Sequence, residues 1–411
     1  MNTSTKKGKG LGEYMPLAFA AGIGSMLGSG IIVGLSATIV VWQEGLGLDT
    51  TQVGLLSGIL TFAIAFGSLF GGRLADKIGR VLFFNWINLF YAIGAAICVF
   101  APNFTVLLIG LIIAGLASGA DLPVSMTIVS HDAPDEATAA QLVSTTQVFW
   151  QVGVFISFIC AFLVSAMQGA TGGRVVFAIL AVFAVIAWLW RLLSPTFRRF
   201  HEAADVRDAA RPAVVGNGKV SVTKVLFGAD KKVLLTYFLA IVIFYVGWNL
   251  LANTWGQFQT YMFSKAGAAQ SLATGLGIIL NFVTLVLNIV FASIAGGKYR
   301  NKAFFAGIVI SLIAMAAMAM GGANLWVIVG ATAFMNLGSP LAGEALYKVW
   351  TQESFPIEIR ASIQGFINGF SRLCCGLFAL ITPALVLPET IQTTMWCFFG
   401  IVIIEGIAGA S

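Results

Sequence analysis

Three polar stripes run through otherwise apolar stretches of this chain. Asn249, Asn253 and Gln257 recur every four residues and Tyr261 continues the line; Asn281, Thr284 and Asn288 form a second set, and Ser144, Gln147 and Gln151 a third. On a helix, residues three and four apart share one face. Amides and hydroxyls donate and accept at once, which suits a solute covered in hydroxyl groups. Trp150, Trp248, Trp255 and Tyr347 are available as flat apolar walls for the C–H face of a ring. A helix-to-helix hydrogen bond, worth about 0.6–2 kcal/mol, would explain any single amide. Three stripes together point to a hydrated cavity.

Ionisable residues inside apolar stretches are the second chemical signal, because each is costly in hydrocarbon and tends to face a cavity or a partner. Asp121, Glu344, Lys348 and Arg372 fall in this class. Asp121 shares a helix face with Ser118 and Ser125. Glu344 precedes Lys348 by four residues, the favourable order for an ion pair along a helix. Arg372 has no acid within its own stretch. It is read as the partner of Asp121 or Glu344 across the bundle, or else as the anchor for a carboxylate, sulfonate or phosphate on a solute.

The elements that carry these residues follow from composition. A chain of 411 residues with 58% hydrophobic and only 10% charged residues, and a mean hydropathy of +0.92, lies outside the range of soluble domains. Apolar stretches of about 20 residues, the length that crosses a bilayer as helix, recur about twelve times. The expected fold is all-α and integral to the membrane, with twelve transmembrane helices in two six-helix bundles. The one long polar segment divides residues 1–193, the first bundle, from residues 233–411, the second. The linker between them, 194–232, begins with a short amphipathic helix expected on the membrane surface, and Pro212 ends it.

Lys and Arg in short loops stay on the cytoplasmic side. Lys6, Lys7 and Lys9, the group Arg73, Lys77 and Arg80, the linker, and Lys298, Arg300 and Lys302 all fall on one side of the alternating spans; Arg174 and Lys265 fall on the other. Both termini are therefore expected in the cytoplasm, and the net charge of +6 reflects topology rather than nucleic-acid binding. The first span is read as retained, with no targeting peptide set aside. All five cysteines fall inside predicted spans, where a thiol acts as a small apolar group.

The turn after the second span, "GGRLADKIGR", resembles the loop signature of the major facilitator superfamily through Gly72, Leu74, Ala75, Asp76, Lys77, Gly79 and Arg80. A second copy, "GGKYRNKAFF", keeps Gly297, Lys298, Arg300 and Lys302 but has no acid. After the tenth span, Glu353, Phe355, Pro356 and Arg360 are similar to a sugar porter pattern, with one extra residue, while the matching place after the fourth span has His131. The resemblance implies two rocking bundles, a cytoplasmic gate of Asp76, Arg80, Glu353 and Arg360, and a substrate-contacting Gln147. It also implies an Asp in the first span where transport is proton-driven. That span has no ionisable residue in its core, so either transport is facilitative or Asp121 or Glu344 titrates. Gly24, Gly28, Gly30 and Gly34 read instead as close-packing sites.

Pro340, one turn after Asn336, is expected to interrupt the tenth span, and Pro123 the fourth. There is no span-embedded His pair, no Ser with a nearby His and acid, and no P-loop; His131 and His201 both fall near the cytoplasmic surface. The sequence thus points away from an enzyme and from any metal or cofactor. It points toward a monomeric secondary transporter of the cell (inner) membrane, whose partners are a small-molecule solute, the lipid bilayer and, where coupled, protons. The solute is read as a sugar or polyol, or alternatively as an anion held by Arg372; a sensor built on a transporter fold is the remoter alternative.

Overall fold

A computed structural model of the chain describes residues 11–134, 136–209, 231–294, 299–355 and 357–410. Lys6, Lys7 and Lys9, Pro212, the Gly297–Lys298 turn and Pro356 lie outside the described residues. So do the side chains of Arg73, Asp76, Ser144, Gln147 and Arg360.

The first half contains α1 (Leu11–Leu46), α2 (Thr50–Ile78), α3 (Arg80–Val99), α4 (Phe104–Asp132), α5 (Glu136–Leu163) and α6 (Thr171–Leu193), followed by α7 (Pro195–Ala209). The second half contains α8 (Lys231–Lys265), α9 (Gln270–Ile294), α10 (Arg300–Gly321), α11 (Leu325–Leu341), α12 (Glu344–Ser354), α13 (Ile357–Leu385) and α14 (Ile391–Ala410). Eleven described spans are long and apolar enough to cross a membrane, with α11 and α12 forming one of them. The twelfth crossing is α5, whose described apolar part is Val148–Leu163.

Local sequence sets the boundaries. Asp49 caps α2 by accepting from the Gln52 backbone N–H at 2.7 Å, while the Gln52 side chain accepts from the Asp49 N–H at 3.0 Å, a reciprocal box that satisfies two orphan donors. Asn103 and Asn324 cap α4 and α11 by side-chain acceptance alone, without the reciprocal bond. Between α2 and α3 the chain turns on one residue, Gly79, at φ 103°. A side chain there would be strained, so the glycine of the loop motif is required by the backbone itself.

Helices of each half pack chiefly with one another: α1 against α4, α5 and α6, and α3 against α4 and α6; then α10 against α11 and α14, and α8 against α13 and α14. The halves meet through α2 with α13, α5 with α9, and α1 with α8. Each pairing joins a helix to its counterpart in the other repeat, or exchanges with another such pair, as an approximate two-fold relation demands. The closest approach is at the start of α2, where a Cβ on Gly54 would overlap the Leu380 carbonyl and one on Gly58 would meet the Leu380 side chain. At the other end of α2, Gly72 has open space around it. The two halves are therefore closed at the end away from α7.

Two expectations need correction. The helix α7 forms as expected, but its apolar face packs on protein rather than being left for lipid. Phe197, Phe200 and Ala204 are buried, with Phe200 stacked on Tyr14 at 5.0 Å and Phe197 edge-on to Trp190, so its apolar face covers the end of the first bundle. Pro123 does not end α4, which continues to Asp132. Pro340 behaves as expected. Without an N–H it cannot donate to the Asn336 carbonyl, and the span breaks at Ala342 and Gly343 between α11 and α12.

Candidate functional site

In the first bundle, Arg191 near the end of α6 is 1% exposed. Its Nη1 donates to Asp121 Oδ1 at 2.7 Å and its Nη2 to Oδ2 at 3.1 Å, while Ser125 Oγ donates to Oδ1 at 2.8 Å. The same guanidinium donates to the Ala20 carbonyl on α1 from Nε at 3.2 Å and Nη2 at 2.7 Å, and from Nη1 to the Phe84 carbonyl on α3 at 3.1 Å. It lies 3.9 Å from the centre of the Phe84 ring. One fork thus pins α1, α3, α4 and α6. A Cβ on Gly24 would collide with the Asp121 carboxylate, so this glycine makes room for the pair.

Asp121 is therefore partnered by Arg191 and not by Arg372. Sequence position hid the match: Arg191 stands two residues before the end of its span, where a cation reads as an interfacial flank. Only the helix rotation turns it inward. Ser125, placed on the Asp121 face by its spacing, makes the expected contact.

In the second bundle the helices α8, α11, α12 and α13 bring together a second group. Asn249 Nδ2 donates to Ser371 Oγ. Trp248 Nε1 donates to Ser339 Oγ at 3.0 Å, holding the broken end of α11. Tyr245 and Tyr347 stack with centroids 3.9 Å apart, and Tyr347 donates to the Gln364 carbonyl at 2.8 Å. Arg372 Nε donates to Asn368 Oδ1 at 3.0 Å. Glu344 and Lys348 pair at 2.8 Å, as their spacing predicts, and both stay part exposed. Glu344, Arg372 and Tyr347 all lie close enough to Tyr245 to act on its hydroxyl electrostatically. Arg372 makes no ion pair among the described residues.

Tyr245, Asn368 and Ser371 are members of this group that the sequence reading did not name. The signal was present for two of them. Tyr245 extends the Asn249, Asn253, Gln257 line back by one turn, and Asn368 precedes Arg372 by four residues.

Where the halves touch, Gln257 Nε2 donates to Thr61 Oγ1 on α2 at 2.8 Å and to Asn253 Oδ1 at 2.7 Å. Gln257 is buried, while Asn249 and Asn253 are half-buried. The α8 stripe thus runs from the aromatic group into the seam between the halves. Gln151 is half-buried on α5 beside Trp150, whose carbonyl accepts from Ser29 at 2.7 Å.

The remaining predicted residues are not drawn into this group. Asn281 donates to Gly277 in its own helix at 2.8 Å, and Asn288 is exposed further along α9. Trp255 is 4% exposed, donates to Thr332 at 3.3 Å and packs on Phe398. It belongs to the interior of the second bundle because it lies off the amide line by two residues, about 200° around the helix.

The sequence profile of the Major Facilitator Superfamily matches residues 17–379. The chain belongs to that superfamily. Among curated relatives it is 30% identical to the minor myo-inositol transporter IolF of Bacillus subtilis, over 95% of this chain and 88% of that protein. It is 28% identical to the probable polyol transporter 4 of Arabidopsis thaliana, over 43% of this chain and 33% of that one. Among solved structures, a D-xylose-proton symporter superposes with a TM-score of 0.77 at 14% identity, covering 96% and 97% of the two chains. That degree of identity shows the fold alone. The protein is a multi-pass membrane transporter of a small solute and not an enzyme.

The superfamily loop motif adjoins a cavity of about 520 Å³ on the α7 face, lined by the apolar Val81, Leu82 and Ile128 together with Arg80, His131, Asp132 and His201. Asp132 is 1% exposed. It meets His131 Nδ1 at 2.9 Å and His201 Nδ1 on α7. In the second half, Glu353 accepts from Arg300 Nη1 at 2.7 Å. This joins the end of the tenth span to the residue that begins α10, from the second loop copy.

Proposed function

We propose that this transporter carries a small neutral polyhydroxylated solute, a sugar or a polyol of the inositol type, across the cell membrane by alternating access. The moving bodies are residues 1–193 and 233–411, joined by 194–232, with both termini in the cytoplasm. The solute binds against Asn249 and Asn253, between the stacked rings of Tyr245 and Tyr347 and the seam at Gln257. From the first bundle, half-buried Gln151 on α5 is the proposed counterpart contact, together with Gln147 of the same sequence stripe. Asp76, Arg80, Glu353 and Arg360 gate the cytoplasmic end.

The observation that carries this reading is the α8 stripe itself. Half-buried amides in line with an aromatic cluster, ending at a hydrogen bond between the two halves, couple solute contact to the seam that must open. The relatives named for inositol and polyol transport support the solute class. A second reading, a carboxylated or sulfonated solute, is favoured by one feature: among the described residues the Arg372 guanidinium beside this group is engaged only at Nε, by Asn368.

Counterflow of radiolabelled myo-inositol, neutral sugars and sugar acids in proteoliposomes separates the two. Asn249→Ala is expected to raise the half-saturating concentration of the neutral solute about tenfold, the loss of roughly one hydrogen bond to substrate. Arg372→Ala is expected to spare neutral exchange. Exchange of acids alone, abolished by Arg372→Ala, would establish the second reading.

A further inference from the structure

Glu405 on α14 is a carboxyl that the site above does not use. It is 3% exposed, and its Oε1 is buried without a hydrogen-bond partner. Gly247 on α8 makes the space it occupies: a Cβ there would stand 2.8 Å from Glu405 Cγ and 3.0 Å from Oε1. The arrangement repeats that of the first bundle, where Gly24 on the first helix admits a charged side chain from the sixth, Arg191. There the charge meets Asp121 and is neutralised permanently. Here no counterpart stands opposite among the described residues.

Among the described residues, the charges of the helices packed around Glu405 are engaged elsewhere or stand at helix ends. On α8, Lys231, Lys232 and Lys265 stand at the helix ends, and on α10, Arg300 and Lys302 stand in the first turn. Arg300 pairs with Glu353, Glu344 with Lys348, and Arg372 holds Asn368. The tyrosines of α8 and the thiols Cys374, Cys375 and Cys397 supply no cation. A buried carboxyl with no cation has one means of changing its charge, which is to gain or lose a proton. Gly247, which covers it, lies two residues from Asn249, so a displacement of α8 that moves the amide stripe also moves the cover.

We propose that Glu405 is the carboxyl that carries the coupling proton of this transporter. It holds the proton as COOH while α8 and α14 are packed as described. It releases H⁺ to water, leaving COO⁻, when α8 shifts and the seam is hydrated. Asp121, locked to Arg191, and Glu344, paired with Lys348, are already engaged. The inference rests on the transport reading above.

The test uses the whole protein in proteoliposomes. Wild type is expected to accumulate labelled myo-inositol above equilibrium under an inward proton gradient. Glu405→Gln is expected to retain counterflow at equal pH but lose the gradient-driven accumulation, and Glu405→Asp to restore part of it. Accumulation by Glu405→Gln equal to wild type would overturn the proposal, as would wild-type counterflow with no response to the gradient, which leaves the transport reading intact. Should no neutral polyol or sugar exchange, that reading fails by itself, and carbodiimide labelling of wild type decides the carboxyl. An apolar carbodiimide adds to a protonated acid, so an adduct on the Glu405 peptide, seen by mass spectrometry and diminishing as pH rises, is expected. Absence of the adduct across that range would sink the proposal.

Discussion

Single residues in this protein divide into those that hold a bundle together and those that face the seam. The Asp121–Arg191 pair is of the first kind, since every polar contact around it joins helices of one half. Removing one member leaves the other charged and buried, at a cost of about 3–5 kcal/mol. Asp121→Ala should therefore lower the melting temperature of the purified protein sharply, while Asp121→Ala combined with Arg191→Met should recover much of it. An unchanged melting temperature in the single variant would show that the pair contributes nothing to stability. Gln257, bonded to Thr61 of the other half, is of the second kind, and Asn249 stands about two turns before it on the same stripe. The Asn249 bond to Ser371 crosses from α8 to α13 at a half-buried position, where losing it affects the solute more than the fold.

Among elements, the broken tenth span is the most informative. Pro340 deletes a backbone donor, Gly343 lets the Trp248 indole approach Ser339, and the chain resumes as α12 with Glu344 and Tyr347 turned toward α8. A break held by a side-chain contact is suited to act as a hinge. Pro340→Ala returns the missing N–H and favours a continuous helix. It is expected to raise the melting temperature and slow counterflow, both measured on the same reconstituted preparation. Faster exchange in the variant would exclude a hinge there. The amphipathic helix α7 teaches the opposite lesson. Its apolar face is plain in the sequence, but lipid and a protein end are equally able to cover such a face, and here Tyr14 and Trp190 do so.

For the molecule as a whole, the contact between α2 and α13 closes one end and is expected to govern which end opens. Gly54 and Gly58 bring the two backbones together, and Gln257 joins the halves at Thr61. Gly54→Val inserts bulk where there is no space, and overpacking of this kind costs about 1–3 kcal/mol. The closed end should then open more often. In a background without native cysteines, a reporter cysteine at Thr61 should react faster with a hydrophilic thiol reagent when Gly54→Val is present. Equal rates would mean that this contact does not hold the seam.

What the sequence by itself determined is set by solvent and by spacing. Apolar runs of bilayer length require helices because lipid offers no partner to a backbone N–H, and the loop motif with its one-residue turn at Gly79 placed the chain in its superfamily. Spacing also paired Ser125 with Asp121 and Glu344 with Lys348, because contacts of this kind lie within one helix. The tertiary structure alone decided that Arg191 meets Asp121, that Gln257 reaches Thr61, that Trp255 turns into the bundle and that Glu405 stands without a counterpart among the described residues. Those outcomes depend on the rotation of each helix about its own axis and on which helix lies opposite. In an apolar chain, where most faces of a span are equally oily, hydrophobic periodicity is too weak to fix either.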